Sequence, residues 1–123
     1  MLNCIDLMGR LCADPELRMA NGDVAVTTFP IAVERDYKNQ VGERETDFIS
    51  IVAWRGTAEF IARNFSKGQM IAVTGRLQNR TWTDKDGNKK TVSEIIADNV
   101  YFAGPKPNHA VDEYDDEDAE LPF

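Results

Sequence analysis

Aromatic rings and basic side chains occur together in this sequence, outside the apolar runs that would build a core. Tyr37 lies in Arg35-Asp36-Tyr37-Lys38, and Trp82 in Arg80-Thr81-Trp82-Thr83-Asp84-Lys85. Both segments are polar and charged, where a core aromatic would be out of place. A ring offers a flat π-face and a neighbouring cation offers charge. An unpaired nucleic-acid strand uses both, because any base can stack on a ring and its phosphates are drawn to cations. The other reading of each ring is a surface aromatic covering a loop.

Asp47-Phe48-Ile49-Ser50-Ile51-Val52-Ala53-Trp54 adds two rings. In an extended strand, successive side chains point to opposite faces. Ile49, Ile51 and Ala53 then share one aliphatic face suited to a core, and Phe48, Ser50, Val52 and Trp54 share the other. Either Phe48 and Trp54 form an open platform for bases, or they are core and the isoleucines are less buried. Stacking is worth roughly 1–3 kcal/mol per base, so four rings would outweigh any single ion pair. Arg55, Arg76 and Arg80 are the leading candidates for phosphate contact, and Arg35 flanks Tyr37. Lys67, Lys85, Lys89 and Lys90 are further cations, each equally readable as a solvated lysine.

These residues need elements to carry them. Leu2–Arg10 reads as a first strand, with Gly9 a bulge or bend. Asp14-Pro15 and Asn21-Gly22 mark a connection. Val24–Arg35 is a second strand, with Phe29, Ile31 and Val33 toward one face. Residues 36–46 form a loop or a long hairpin tip, and Asp47–Trp54 is a third strand. The period then changes: Ala58, Ile61, Ala62 and Phe65 make the stripe of an amphipathic helix. Thr57 suits its start and Lys67-Gly68 its end. Met70–Arg80 is a fourth strand, Asp86-Gly87 a turn, and Thr91–Phe102 a fifth strand. In Met70–Arg80, alternation puts Arg76 and Gln78 on the polar face. The reading is all-β: a five-stranded OB-fold barrel with one α-helix between strands 3 and 4.

Net charge is −7 over 123 residues, which looks wrong for a nucleic-acid binder. Position resolves the conflict. All 14 Lys and Arg lie between Arg10 and Lys106, and 14 of the 21 acids lie between Asp6 and Asp98, so residues 1–111 are formally neutral. The other seven acids fall within 112–123. A neutral domain can still carry a positive face. The sequence therefore divides into a domain over 1–104, a short Pro-containing linker over 105–111 and an acidic tail over 112–123, the tail expected to be disordered. The tail's Asp115, Asp116, Glu117, Asp118 and Glu120 lead into Leu121, Pro122 and Phe123. Apolar side chains there cost solubility unless a partner binds them, and an apolar pocket ringed by Arg or Lys would take both the phenyl ring and a carboxylate.

Other classes fare poorly. The single histidine, His109, lies in the linker, and no nucleophile elbow or phosphate-binding glycine loop is present. No enzyme activity, metal or cofactor is expected. Cys4 and Cys12 fit no zinc or redox spacing and read as reduced thiols. No apolar run nears the roughly 18 residues of a membrane span, and no secretory leader opens the sequence. A cytoplasmic protein is the expectation.

Taken together, these motifs resemble the bacterial single-stranded DNA-binding protein family. The resemblance is carried by Gly9-Arg10-Leu11 with Asp14-Pro15-Glu16-Leu17-Arg18, by Asp47-Phe48 through Trp54 with Ala58-Glu59, by Gly75-Arg76-Leu77, by Arg80-Thr81-Trp82-Thr83-Asp84, and by the acidic tail with Leu-Pro-Phe. It implies sequence-independent binding of single-stranded DNA by a nucleoid-associated homotetramer of OB-folds. It also implies stacking on Tyr37, Phe48, Trp54 and Trp82, and recruitment of replication, recombination and repair proteins through the tail tip. The linker is short for that family, which would limit the tip's reach. The rival reading is an OB-fold module for RNA, or a primosome accessory.

Overall fold

The computed structural model describes residues 1–104. Among them are six strands and one helix: β1 (Ile5–Leu11), β2 (Arg18–Ala20), β3 (Val24–Lys38), β4 (Arg44–Trp54), α1 (Arg55–Asn64), β5 (Met70–Thr83) and β6 (Lys89–Phe102). The sheet runs β1-β5-β6-β4-β3-β2, and β1 also pairs with β3. Five strands thus close into a barrel, as expected, with β2 a short extra strand on the edge of β3. That extra strand is why the helix falls between the fourth and fifth strands. Its hairpin is set by Asn21 and Gly22, which both adopt positive φ (49° and 89°), the pairing that tight hairpins favour.

Strand alternation builds the core. Phe29 and Ile31 of β3, Ile51 and Ala53 of β4, and Ile71 and Val73 of β5 all point inward and are at most 1% exposed. The helix closes one end of the barrel with Ala58, Ile61 and, just past its last turn, Phe65, which stacks on Phe102 at 4.8 Å. The inward isoleucines settle the face assignment in β4.

Several local expectations shift. Thr57 does not cap the helix; Trp54 is both the last residue of β4 and the N-cap, and no side chain caps it. The strand-to-helix corner has no spacer, so Arg55 makes the turn at φ 58°, a left-handed conformation that costs an ordinary residue about 1–2 kcal/mol. Gly68 lies beyond the helix end in a separate turn, at φ 92°. Residues 36–46 are mostly strand, because the β3–β4 hairpin continues to Lys38 and Arg44 with a register shift after Glu34. Its tip is tied by Asn39, whose Oδ1 accepts from the backbone N–H groups of Val41 and Glu43, both at 3.0 Å.

Barrel closure depends on two close approaches. At Gly9, β1 stays in register with β5, so the glycine is a bend and not a bulge there. A Cβ at position 9 would lie 2.6 Å from the carbonyl oxygen of Ala32. At Gly75 it would lie 2.1 Å from that of Ile96, beside the irregularity at Thr74/Gly75 in the β5–β6 ladder. Gly56, inside the helix, meets nothing within 4 Å. Gly75→Ala should therefore lower unfolding free energy by at least about 2 kcal/mol through overpacking against backbone. Gly56→Ala should raise it by roughly 0.5–1 kcal/mol. Urea denaturation followed by circular dichroism measures both.

Candidate nucleic-acid interface

The outer face of the barrel is read from the register. Val26 faces Trp54, Thr28 faces Val52, and Ala32 faces Phe48 across β3 and β4. Val52 faces Ile96 across β4 and β6, and Gln78 faces Glu94 across β5 and β6. Every second residue of these strands belongs to one continuous outer surface. Val26, Val52 and Ile96 form a small apolar cluster on it, separate from the main core. Val52 is therefore buried at 6% although it points outward. The aromatics around this cluster stay open: Phe48 is 71% exposed, Trp54 38% and Trp82 42%, and Tyr37 on its hairpin arm is 65% exposed.

The cluster floors a cleft of about 390 Å³, walled by Trp54, with Arg18, Thr28, Gln78, Arg80 and Glu94 around it. The Arg80 guanidinium donates to Glu94 through Nε at 3.3 Å and Nη2 at 3.2 Å. Its Cζ also lies 5.1 Å from the centre of the Trp82 ring, within cation–π range. Hydrogen bonding to Glu94, then the charge of that carboxylate, holds the Arg80 pKa above its ordinary value against partial desolvation. Trp82 stands near the end of the β5–β6 hairpin. There Asp84 Oδ1 accepts from the backbone N–H groups of Asp86 and Asn88 and fixes the tip.

Arg80 thus links the cleft that Trp54 walls to the Trp82 ring. Phe48 lies six residues from Trp54 along β4, about 20 Å at strand spacing, and does not line that cleft. Tyr37 lines a second cleft of about 760 Å³ together with Arg35, Arg10, Met8 and Met70. Arg35 is turned to acids: it donates to both oxygens of Asp47 and to Glu45 Oε1, all at 3.0 Å. Hydrogen bonding to Asp47 is the main reason its pKa is raised, and the same bonds depress the Asp47 carboxyl below its usual range. Arg76 donates to Asp98 at 3.3 Å. Arg55 is exposed and, among the described residues, makes no ion pair.

Sequence reasoning missed Arg18, Glu94 and the Val26–Val52–Ile96 floor. Arg18 was legible through the Asn-Gly hairpin that creates β2. Glu94 was legible through alternation in β6, where Val92, Glu94 and Ile96 share a face. The tail residues Asp115, Asp116, Glu117, Asp118, Glu120, Leu121, Pro122 and Phe123 lie outside the described residues. Among the described residues, no group of three or more His, Cys, Asp or Glu is placed to hold a metal ion. What the surface offers chemically is flat rings, cations and hydrogen-bonding groups around an apolar floor.

The family model described as "Single-strand binding protein family" matches residues 2–103. The chain is 49% identical over 121 residues to a single-stranded DNA-binding protein of Caldanaerobacter subterraneus subsp. tengcongensis, covering 98% of this chain and 81% of that one. It is 48% identical over 109 residues to single-stranded DNA-binding protein 2 of Listeria monocytogenes, covering 89% and 68%. To single-stranded DNA-binding protein A of Bacillus subtilis it is 47% identical over 106 residues, covering 86% and 62%.

The Arg35–Asp47 pair makes a prediction for the β3–β4 arm. A carboxyl whose folded pKa is depressed contributes stability above its unfolded pKa and loses it as pH falls through the folded value. Asp47→Asn should thus lower the melting temperature at neutral pH. The difference from the unmodified protein should shrink only as pH falls below the ordinary carboxyl range, and vanish once pH is below the depressed folded value of Asp47. Melting curves across pH read this directly.

Proposed function

The chain belongs to the single-strand binding protein family, and from that premise we propose that it binds single-stranded DNA without sequence preference, stacking unpaired bases on Tyr37, Phe48, Trp54 and Trp82. The observation that carries this reading is the exposure of all four rings, on or beside a surface where neighbouring apolar side chains are buried. An aromatic held in water by a rigid sheet forgoes the burial that would stabilise the fold, which is explained if a ligand covers it. Stacking accepts every base because every base has a π-face, and no bond is made or broken. Arg55 and Arg18 are the cations best placed to meet phosphate near Trp54. Arg76 and Arg80 can do so only by sharing or exchanging their carboxylate partners, and Arg35 serves mainly to stiffen the arm that carries Tyr37.

The same membership supports a wider role. The protein coats and protects single strands in replication, recombination and repair, acting in the cytoplasm at the nucleoid as a homotetramer. The acidic tail recruits partner proteins through Leu121, Pro122 and Phe123, with Asp115, Asp116, Glu117, Asp118 and Glu120 steering them by charge.

Trp54→Ala and Trp82→Ala should each weaken binding to poly-dT by about 1–3 kcal/mol, measured by titration at fixed salt with folding checked by circular dichroism. Full affinity in a folded variant would remove that ring from the interface. Competition between poly-dT and poly-U should favour the DNA. A preference for poly-U would reassign the surface to RNA, which proteins distinguish through the 2′-hydroxyl. Removing residues 112–123 should leave or raise DNA affinity, since the tail's charges repel phosphate. A large loss of affinity would contradict that division between domain and tail.

A further inference from the structure

Glu94 is out of keeping with its surroundings. It sits in the cleft beside Val26, Val52 and Ile96, and its side chain is only 9% exposed. An apolar residue would fit that floor without the desolvation that a carboxylate must have offset by a partner. The other acids that hold the site's arginines are open to solvent: the side chains of Asp47 and Asp98 are 46% and 55% exposed. Burial marks Glu94 as serving something that its neighbours do not.

Its partner is Arg80, held by two parallel bonds from Nε and Nη2 to the two carboxylate oxygens. This fork fixes the guanidinium plane, which a lysine in the same place could not do. Arg80 in turn lies 5.1 Å from the Trp82 ring. The three side chains share the outer face of the β5–β6 hairpin and form one chain of contacts, from the buried carboxylate to the exposed ring. Resting on the base-stacking reading above, we propose that Glu94 is a positioning residue: it locks Arg80, and Arg80 holds the Trp82 ring ready for a base. Arg80 is then a support for a stacking ring, not primarily a phosphate contact. A ring ordered before the strand arrives loses less side-chain freedom on binding.

The test uses Glu94→Gln and Arg80→Lys, which break the fork in different ways and give two independent chances of a folded variant. Because the sequence has two tryptophans, a Trp54→Phe background leaves Trp82 as the sole reporter. In the free protein, time-resolved anisotropy of Trp82 should show more fast local motion in both variants, with the circular dichroism melt confirming the fold. Affinity for a dT oligonucleotide should fall about 2- to 5-fold, the size of an exposed cation–π contact. Salt dependence should be unchanged. In a Trp82→Ala background, Glu94→Gln should cause no further loss, which a merely structural role would not produce.

Tighter binding with a steeper salt dependence in Glu94→Gln would overturn the proposal, since it would mean that Arg80 is a phosphate contact which Glu94 restrains. Unchanged Trp82 motion would overturn it, as would an equal loss in the Trp82→Ala background. If the unmodified protein fails to bind the oligonucleotide, the base-stacking reading fails separately. The anisotropy of the free protein then still decides whether Glu94 orders Trp82.

Discussion

Closure of the sheet is the constraint on which the rest of the structure depends. β1 must pair with β5 along most of its length and with β3 at Arg10 and Leu11. That is possible only because Gly9 lets the backbone of β3 approach to a distance no side chain would allow. Once the sheet closes, each strand has a defined inside and outside. Isoleucine, valine and phenylalanine fill the inside, and every second residue is forced outward. The outer face with its open rings follows from that alternation: Phe48 and Trp54 face outward because Ile51 and Ala53 face inward.

Closure also explains how exposed rings are held without being buried. Both long hairpins run on past the last buried residue of the barrel, to Lys38 and to Thr83. Each arm is fastened at its tip by one side chain, Asn39 or Asp84, that accepts two backbone bonds. Ion pairs fasten the arms along their length, Arg35 with Asp47 on one and Arg80 with Glu94 on the other. The site spends arginines on geometry as well as on charge. A domain neutral in sum can then still carry open rings and unpaired cations on one face.

Much of this was legible in the sequence. Parity in Asp47–Trp54 put Phe48 and Trp54 on one shared face while leaving open which face was core, and the change of period at Ala58 located the helix. The misses have physical causes. β2 is three residues long and carries no apolar alternation of its own, so only the Asn-Gly turn betrays it. Thr57 had the right chemistry for a cap, but the chain turns from strand to helix within one residue at Arg55, which leaves no room for a spacer. Residues 36–46 read as a loop or a long hairpin tip because they are polar, and they are mostly strand through ladder pairing across the β3–β4 hairpin. The bond between Arg80 and Glu94 joins residues fourteen apart, which composition and spacing do not reveal.

The central claim is that the open rings of this outer face are covered by bases when a single strand binds. Tryptophan emission of the unmodified protein, titrated with poly-dT at protein concentrations well above the dissociation constant, tests it most directly. Stacking on both Trp54 and Trp82 predicts strong quenching that falls linearly to a sharp endpoint, with added salt restoring emission as phosphate contacts are screened. Saturated binding, established independently by sedimentation, with tryptophan emission left unchanged would contradict the account.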